Sequence, residues 1–339
     1  MVGQGKNSLK LPAGKSCLIL GATGFIGGHI ALTALEQGYR VRGLRRDPNS
    51  TGHIGHASID WVDGDLQDYN SLARAMQGVE VVFHAAGFYP VHSKPDEVQA
   101  QVAFASDQID RVIDAARQAS VARLIYTSSL TTIGNPSPGT KRLADETDLY
   151  QPGSVGKSAY YEAKSAMESR VLAASQSGFP AVVLNPTAVF GPGDIHLTMG
   201  RLLLAARRGM FIAWVPATTN VIDVRDVAAG HLAAARRGMI SERYILGAYN
   251  TSLRTLIDLI TSQFRVHPPR FEVSLQTIDR LVRMADMFHI STGNHLRAIS
   301  HWQSFNTEKA ETQLGLTHRP FEQTIIDSFE WFRSHGMRV

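Results

Sequence analysis

Cysteine is almost missing from this chain: Cys17 is the only one in 339 residues, so no disulfide can close within it. Cys17 stands in an apolar strand pattern, where a buried, inert thiol is expected. Long apolar runs are missing too. None reaches the roughly 18 residues that a membrane-crossing helix needs. The polar opening MVGQGKNSLKLPAGK has no apolar stretch of the kind a secretory signal carries. Histidines and carboxylates do not gather at metal-ligand spacing, so no metal is expected. A surplus of one charge is also lacking. Against 34 Lys and Arg stand 30 Asp and Glu, a formal net charge of +4, and Lys6, Lys10 and Lys15 all fall in the opening tail. Basic pairs such as Arg207–Arg208 and Arg236–Arg237 read as solvated helix ends rather than a phosphate-binding stripe. These absences argue against a disulfide-rich secreted scaffold, a membrane protein and a nucleic-acid-binding protein. They suit a cytoplasmic protein whose partner is a small molecule, with no nucleic acid and no membrane.

What the chain does have is alternation. SCLILG, YRVRGLRR, ASIDWVDGD, VEVVFHAAG, VARLIYTSS and PAVVLNPTAVFG read as six strands. Between them GGHIALTALEQG, DYNSLARAMQG, PDEVQAQVAFASDQIDRVIDAARQAS and SAYYEAKSAMESRVLAASQSG read as helices. Strands apolar on both faces and joined by helical crossovers imply an α/β protein with a doubly wound parallel sheet of the Rossmann type. After about Gly191 the alternation loosens. DIHLTMGRLLLAARRG reads as loop then helix and ERYILG as a short strand. TSLRTLIDLITSQF reads as a helix capped by Thr251 or Ser252. PPRFEVS and a last helix, FEQTIIDSFEWFRSHG, follow. The organisation predicted is a disordered tail over 1–15, a dinucleotide-binding domain over 16–190, and a segment over 191–339 that is mainly a smaller C-terminal substrate lobe, folded together with it.

LILGATGFIGGHI sets glycines three apart, Gly21, Gly24 and Gly27, between a strand and a helix. Gly21 permits the tight turn, Gly24 lets a pyrophosphate approach the backbone, and Gly27 lets helix and strand pack closely. Thr23, Phe25 and Ile26 complete a turn whose free N–H groups face the phosphates at the helix start. The second strand ends in Arg45 and Arg46, where NAD enzymes of this kind carry a ribose-binding carboxylate. An arginine cannot accept from a 2′-hydroxyl but can pair with a 2′-phosphate, so NADP is expected over NAD. In DGDLQD, Asp65 is placed to accept from the adenine amino group and Leu66 to line the ring pocket.

The reacting end follows. LIYTSSLTTIG carries hydroxyls, Ser129 and Thr131 among them, to the carboxyl edge of the sheet. SAYYEAK then sets Tyr160 and Lys164 four apart on one helix face. A free tyrosine, with a pKa of about 10, is a poor base. A neighbouring ammonium favours its phenolate, so Tyr160 can exchange a proton with a substrate hydroxyl while hydride moves. Ser129 can hydrogen-bond the same oxygen. Tyr161 lacks a lysine at i+4 and is set aside.

With GATGFIG, GDLQD, VFHAAG, YTSS, YYEAK, NPTAVFGPGD and VIDVRDVAAGHL in this order, the chain resembles the extended short-chain dehydrogenase/reductases, the NAD-dependent epimerase/dehydratase family. HLAAARRGMISERYILGAYNTSL further resembles the subgroup of dihydroflavonol reductases and hopanoid-associated sugar epimerases. The resemblance implies catalysis by Ser129, Tyr160 and Lys164, with Lys164 also on the nicotinamide ribose. It implies cofactor contacts from Ala85, Ala86 and Gly87 and from Pro186 beside the nicotinamide. It also implies a homodimer through the helices around 96–118 and 157–177. Three positions depart from the pattern. Gln101 stands where the family often has asparagine. Ala188 replaces the asparagine of UDP-sugar epimerases, and Ile133 occupies the flavonoid-gripping position of dihydroflavonol reductases.

The expected substrate lining is Phe88, Tyr89, His92, Thr131, Asn185, Thr187, Phe211 and Trp214, with Arg201 and Arg207 as the nearest candidate phosphate ligands. Aromatic walls with few donors favour an uncharged, partly apolar substrate. The first reading is therefore an NADP-linked oxidoreductase for a ketone or secondary alcohol. The second is a nucleoside-diphosphate-sugar epimerase or dehydratase with tightly held NAD(P), and the third a non-enzymatic NADP sensor.

Overall fold

Alternate side chains of the apolar strands go to opposite faces, and that period of two builds the core. In β1 (Ser16–Leu20), Cys17 and Ile19 join one apolar cluster while Leu18 and Leu20 join another. The same split recurs in β4 (Val81–His84), β5 (Arg123–Thr127) and β6 (Ala181–Pro186). One face is covered by α1 (Phe25–Glu36) and α6 (Val224–Arg237), the other by α2 (Tyr69–Met76), α3 (Val98–Gln118) and α4 (Ala159–Gln176). The structure is a computed structural model describing residues 15–88, 90, 95–156, 158–287 and 301–337.

With β2 (Arg40–Arg45), β3 (Asp60–Asp63) and β10 (Arg243–Leu246), the main sheet has seven strands in the order β10-β6-β5-β4-β1-β2-β3. Every neighbouring pair is parallel. The carboxyl ends of all seven strands therefore open on one edge, and the order reverses between β1 and β4, where such sheets bind ligands.

Two readings of the sequence change. PAVVLNPTAVFG is not one strand. It divides at Thr187, whose N–H bonds to the Leu246 carbonyl at 2.9 Å. Beyond it β7 (Ala188–Phe190) leaves for a three-stranded sheet with β9 (Thr218–Asp223) and β11 (Tyr249–Ser252). ERYILG does not belong to the C-terminal lobe alone: as β10 it pairs with β6 and completes the main sheet. The boundary placed at 190 is thus crossed by the chain, since α6 and β10 return to the first layer. The intervening segment gives α5 (Gly200–Arg207) and β8 (Ala213–Trp214). After β11 come α7 (Leu253–Gln263), β12 (Phe271–Glu272), α8 (Leu275–Met287), which the periodicity reading passed over, and α9 (Phe321–Ser334). Ser252 is the α7 cap, accepting from the Thr255 N–H at 2.9 Å. Cys17 is fully buried, and burial pushes its thiol up to about 12. Among the described residues no helix is long and apolar enough to cross a membrane.

Candidate active site

The glycine turn sits at the point where the strand order reverses. Gly21 has φ +90°, a conformation that favours glycine, and a Cβ there would meet the Ala86 backbone nitrogen at 2.7 Å. A Cβ on Gly27 would collide with the Gly21 carbonyl oxygen. The turn can therefore press against the end of β4 only with glycines in both places. α1 begins at Gly24 with no side-chain cap. Its first backward bond runs from the Gly28 N–H to the Gly24 carbonyl at 2.9 Å, so the amides of Phe25, Ile26 and Gly27 have no acceptor within the helix. Thr23 lies in the same turn. An uncapped first turn entered through a glycine turn that tolerates no Cβ at Gly21 or Gly27 fits a pyrophosphate.

At the adenosine end, β2 and β3 pair Arg45 with Asp63 in register. Arg45 Nε donates to Asp63 Oδ1 at 2.8 Å, and its guanidinium lies over the Trp61 ring, 5.3 Å from the centroid. Its terminal nitrogens form no hydrogen bond among the described residues. Arg46 is exposed. Asp65 folds back on its own turn, accepting from the Gln67 N–H at 2.8 Å, and Leu66 packs against the core beside it.

At the other end, β5 runs into a short 3₁₀ turn, Leu130–Thr132, which Ser129 starts by accepting from the Thr131 N–H at 3.2 Å. Tyr160, one residue into α4, donates its hydroxyl to Ser129 Oγ at 3.3 Å. Lys164, one helical turn on, is buried. A Cβ on Gly87 would lie 3.2 Å from its Nζ, which ties the lysine to the Ala85–Gly87 strand end. Burial lowers the Lys164 pKa from 10.5 to about 8, while Glu168 opposes the fall. Pro186 closes β6 on the same edge. Thr131 Oγ1 is buried without a partner among the described residues, an open hydrogen-bonding position next to Ser129.

The other expected contacts have these surroundings. Asn185 is fully buried: its Nδ2 has Glu168 Oε2, Thr132 Oγ1 and the Ser129 carbonyl within hydrogen-bond distance, and its Oδ1 has no partner among the described residues. Thr187 is buried and donates to Asn220 at 2.9 Å. Phe88 packs on Phe104 of α3, with ring centroids 4.9 Å apart. Phe211 belongs to the apolar cluster of the C-terminal lobe, and Trp214 lies under the Arg254 guanidinium at 5.7 Å. Arg207 is stacked over Phe264 at 5.1 Å, and Arg201 is exposed. Tyr161 is buried against Tyr150 and Val155. Ile133 sits in a small core with Ala144, Ile245 and Phe305. Tyr89 and His92 lie outside the described residues. Among the described residues no three His, Cys, Asp or Glu could hold a metal.

The residues that sequence reasoning missed are Asp63, Trp61, Thr132, Glu168 and Arg243. Only Glu168 left a signal, since it continues the spacing of Tyr160 and Lys164 by another four.

A parallel sheet of this order, a glycine turn opening on a helix, and a serine, tyrosine and lysine at the same edge define a dinucleotide-binding α/β enzyme. Residues 17–247 match the NAD dependent epimerase/dehydratase family, and the chain belongs to it. It is similar to a Synechocystis sp. protein provisionally assigned as a dihydroflavonol 4-reductase, with 32% identity over 94% of each chain. It is also similar to cinnamoyl-CoA reductase 2 of Arabidopsis thaliana, with 27% identity over 95% of this chain and 94% of that one. A nucleoside-diphosphate-sugar epimerase from Pseudomonas aeruginosa has the same fold, with a TM-score of 0.81 and 25% identity over 95% of this chain and 98% of that one. The protein is therefore an NAD(P)-dependent enzyme of the extended short-chain dehydrogenase/reductase type, a family of reductases and epimerases.

Proposed function

We propose that the protein is an NADP-preferring oxidoreductase that moves hydride between the nicotinamide and an uncharged ketone or secondary alcohol. The observation that carries the substrate class is the shortage of free donors for a diphosphate. Arg207 stands in the C-terminal lobe over Phe264 and Phe329, Arg201 is exposed, and Asn185 has its Nδ2 committed to Glu168, Thr132 and the Ser129 carbonyl. A diphosphate left unpaired in such a site would cost several kcal/mol. Arg45, held by Asp63 through Nε and by Trp61 through its face, keeps its terminal nitrogens for a 2′-phosphate, and Arg46 stands beside it. Asp65 and Leu66 serve the adenine, and Ala85, Ala86, Gly87 and Pro186 the nicotinamide side.

The cofactor, when bound, supplies or accepts the hydride. The chain does the rest. Tyr160 exchanges a proton with the substrate oxygen, Ser129 hydrogen-bonds that oxygen, and Thr131 offers a further hydroxyl. Lys164 holds the ribose and, as a cation, favours the tyrosinate. The segments beyond β7 that leave the main sheet, with the loop 134–148, supply the substrate lobe. A homodimer through α3 and α4, working in the cytoplasm, suits the exposed apolar side chains of α3 and a lone buried thiol.

The second reading, a sugar-nucleotide epimerase, draws on the likeness to the Pseudomonas aeruginosa protein. Thermal melting separates the two. NADP is expected to raise the melting temperature more than NAD does, and aromatic or alicyclic ketones to raise that of the NADP complex further while UDP and dTDP do not. Equal shifts by NADP and NAD would defeat the cofactor preference. A clear UDP-dependent shift, lost on mutating Arg201 or Arg207, would decide for the epimerase.

A further inference from the structure

Lys164 is dry and yet has to stay a cation. Its residue is only 5% exposed. One turn on stands Glu168, i+4 from Lys164 and i+8 from Tyr160, on the same helix stripe and 3% exposed. Its carboxylate is built in on every side. Oε1 lies 2.8 Å from Arg243 Nε. Oε2 accepts from Thr132 Oγ1 and from Asn185 Nδ2, both at 2.7 Å. Arg243 gives its other nitrogens to the carbonyls of Thr132, at 2.8 Å, and Glu146, at 3.1 Å. Asn185 reaches the Ser129 carbonyl at 3.2 Å. The network thus joins α4 to the ends of β5, β6 and β10 directly behind Ser129. A buried ion pair is seldom worth more than an apolar contact of the same shape, so stability alone is a weak reason for this one.

We propose that Glu168 is a positioning residue for the reaction: clamped by Arg243, Thr132 and Asn185, it sets the turn that presents Ser129 and supplies the negative charge that holds Lys164 as an ammonium beside Tyr160. This rests on the reading of Ser129, Tyr160 and Lys164 as the catalytic set. The other titratable groups around Lys164 supply no such charge. His84 on β4 is pushed down to about 3, chiefly by burial and then by Lys164 itself, and is neutral. Tyr126 on β5 is pushed well up by burial and stays a neutral phenol. Arg243 on β10 is a cation and works in the opposite sense. Among the described residues, Glu168 is the charge that counters the burial of Lys164.

Neutralising Glu168 makes the Tyr160–Lys164 pair lose its first proton at lower pH, whichever of the two gives it up. Glu168→Gln keeps the shape and one acceptor oxygen. NADPH affinity, followed by fluorescence across the pH scale, is expected to weaken in the parent protein as Lys164 deprotonates near pH 8. In Glu168→Gln the midpoint of that loss moves down by about one pH unit. If the single variant fails to fold, Glu168→Gln with Arg243→Gln removes both charges and retains amide hydrogen bonds, and the same downward shift is expected. Thr132→Val, which deletes one hydrogen bond to the carboxylate but no charge, should lower the melting temperature and leave the midpoint in place. A midpoint unmoved in Glu168→Gln, or moved equally by Thr132→Val, overturns the role of Glu168. NADPH affinity that is flat with pH in the parent protein overturns the catalytic assignment itself.

Discussion

At the scale of single residues, the role proposed for Lys164 sets function against stability. Its pKa of about 8, well under 10.5, means that the unfolded chain holds the proton more tightly than the folded one. The penalty is complete below pH 8 and fades as pH rises from 8 toward 10.5, since above that neither state is charged. Lys164→Met is therefore expected to stabilise the fold by about 2–3 kcal/mol at neutral pH, with the gain shrinking by pH 10. Denaturant unfolding at the two pH values checks both the sign and the trend. Turnover is expected to vanish in that variant and also in Tyr160→Phe, but only Tyr160→Phe should keep full cofactor affinity, because it removes a proton and not the ribose contact. Substantial activity in Tyr160→Phe would overturn the assignment. Arg45 is the other residue on which much hangs. Its Asp63 partner is about half exposed, so the pair is screened by water and adds little stability. Arg45→Asp is expected to reverse the preference for NADP, by about tenfold or more in the ratio of dissociation constants, with little change in melting temperature.

At the scale of elements, α3 leaves apolar surface exposed among the described residues. Phe104 is 43% exposed, and an open groove of about 930 Å³ between α3 and α4 has Val98, Val102 and Ala103 in its lining beside polar Gln99, Asp107 and Asp110. Arg170 crosses the groove to Asp110 at 2.6 Å. Two such helix pairs packed face to face would bury apolar area of the size that stable dimers need, roughly 1,200 Å² or more in total. Light scattering at micromolar concentration should give a dimer, and Phe104→Glu a monomer. A monomeric parent protein would remove the idea. Elements also show where periodicity stops informing. PAVVLNPTAVFG is apolar throughout, so its hydrophobic pattern contains no sign of the break at Thr187. The break is made by partners far along the chain: the β10 ladder ends at the bond from Thr187 to Leu246, and β7 beyond it pairs with β9.

At the scale of the whole molecule, buried histidines set the acid limit. Burial holds His84 near 3 and His231 near 4, far below the ordinary 6.5. As pH falls from 6.5 the unfolded chain takes up protons that the native state cannot accept. Stability drops by about 1.4 kcal/mol per pH unit for each such group. Two of them remove about 3 kcal/mol per unit, a large share of a typical total of about 5–15 kcal/mol. Cooperative unfolding is expected between about pH 6 and about pH 4. His84→Phe, which replaces an imidazole that has no hydrogen-bond partner among the described residues with a ring that takes up no proton, should flatten the slope. An unchanged slope would show that other groups set it.

The sequence by itself determined the layered architecture, the glycine turn, and the spacing of Ser129, Tyr160 and Lys164. Each of these is written locally: in the alternation of side chains along a strand, in a turn that tolerates no Cβ, in residues four apart on a helix. Only the tertiary structure decided that β10 closes the main sheet and that the Asn185 Nδ2 meets Glu168, Thr132 and the Ser129 carbonyl. It alone put Asp63 on Arg45, and Arg243 on Glu168 behind the reacting turn. Strand order and buried polar pairing depend on which distant segments satisfy one another's hydrogen bonds and charges, and no local pattern in the chain encodes that choice.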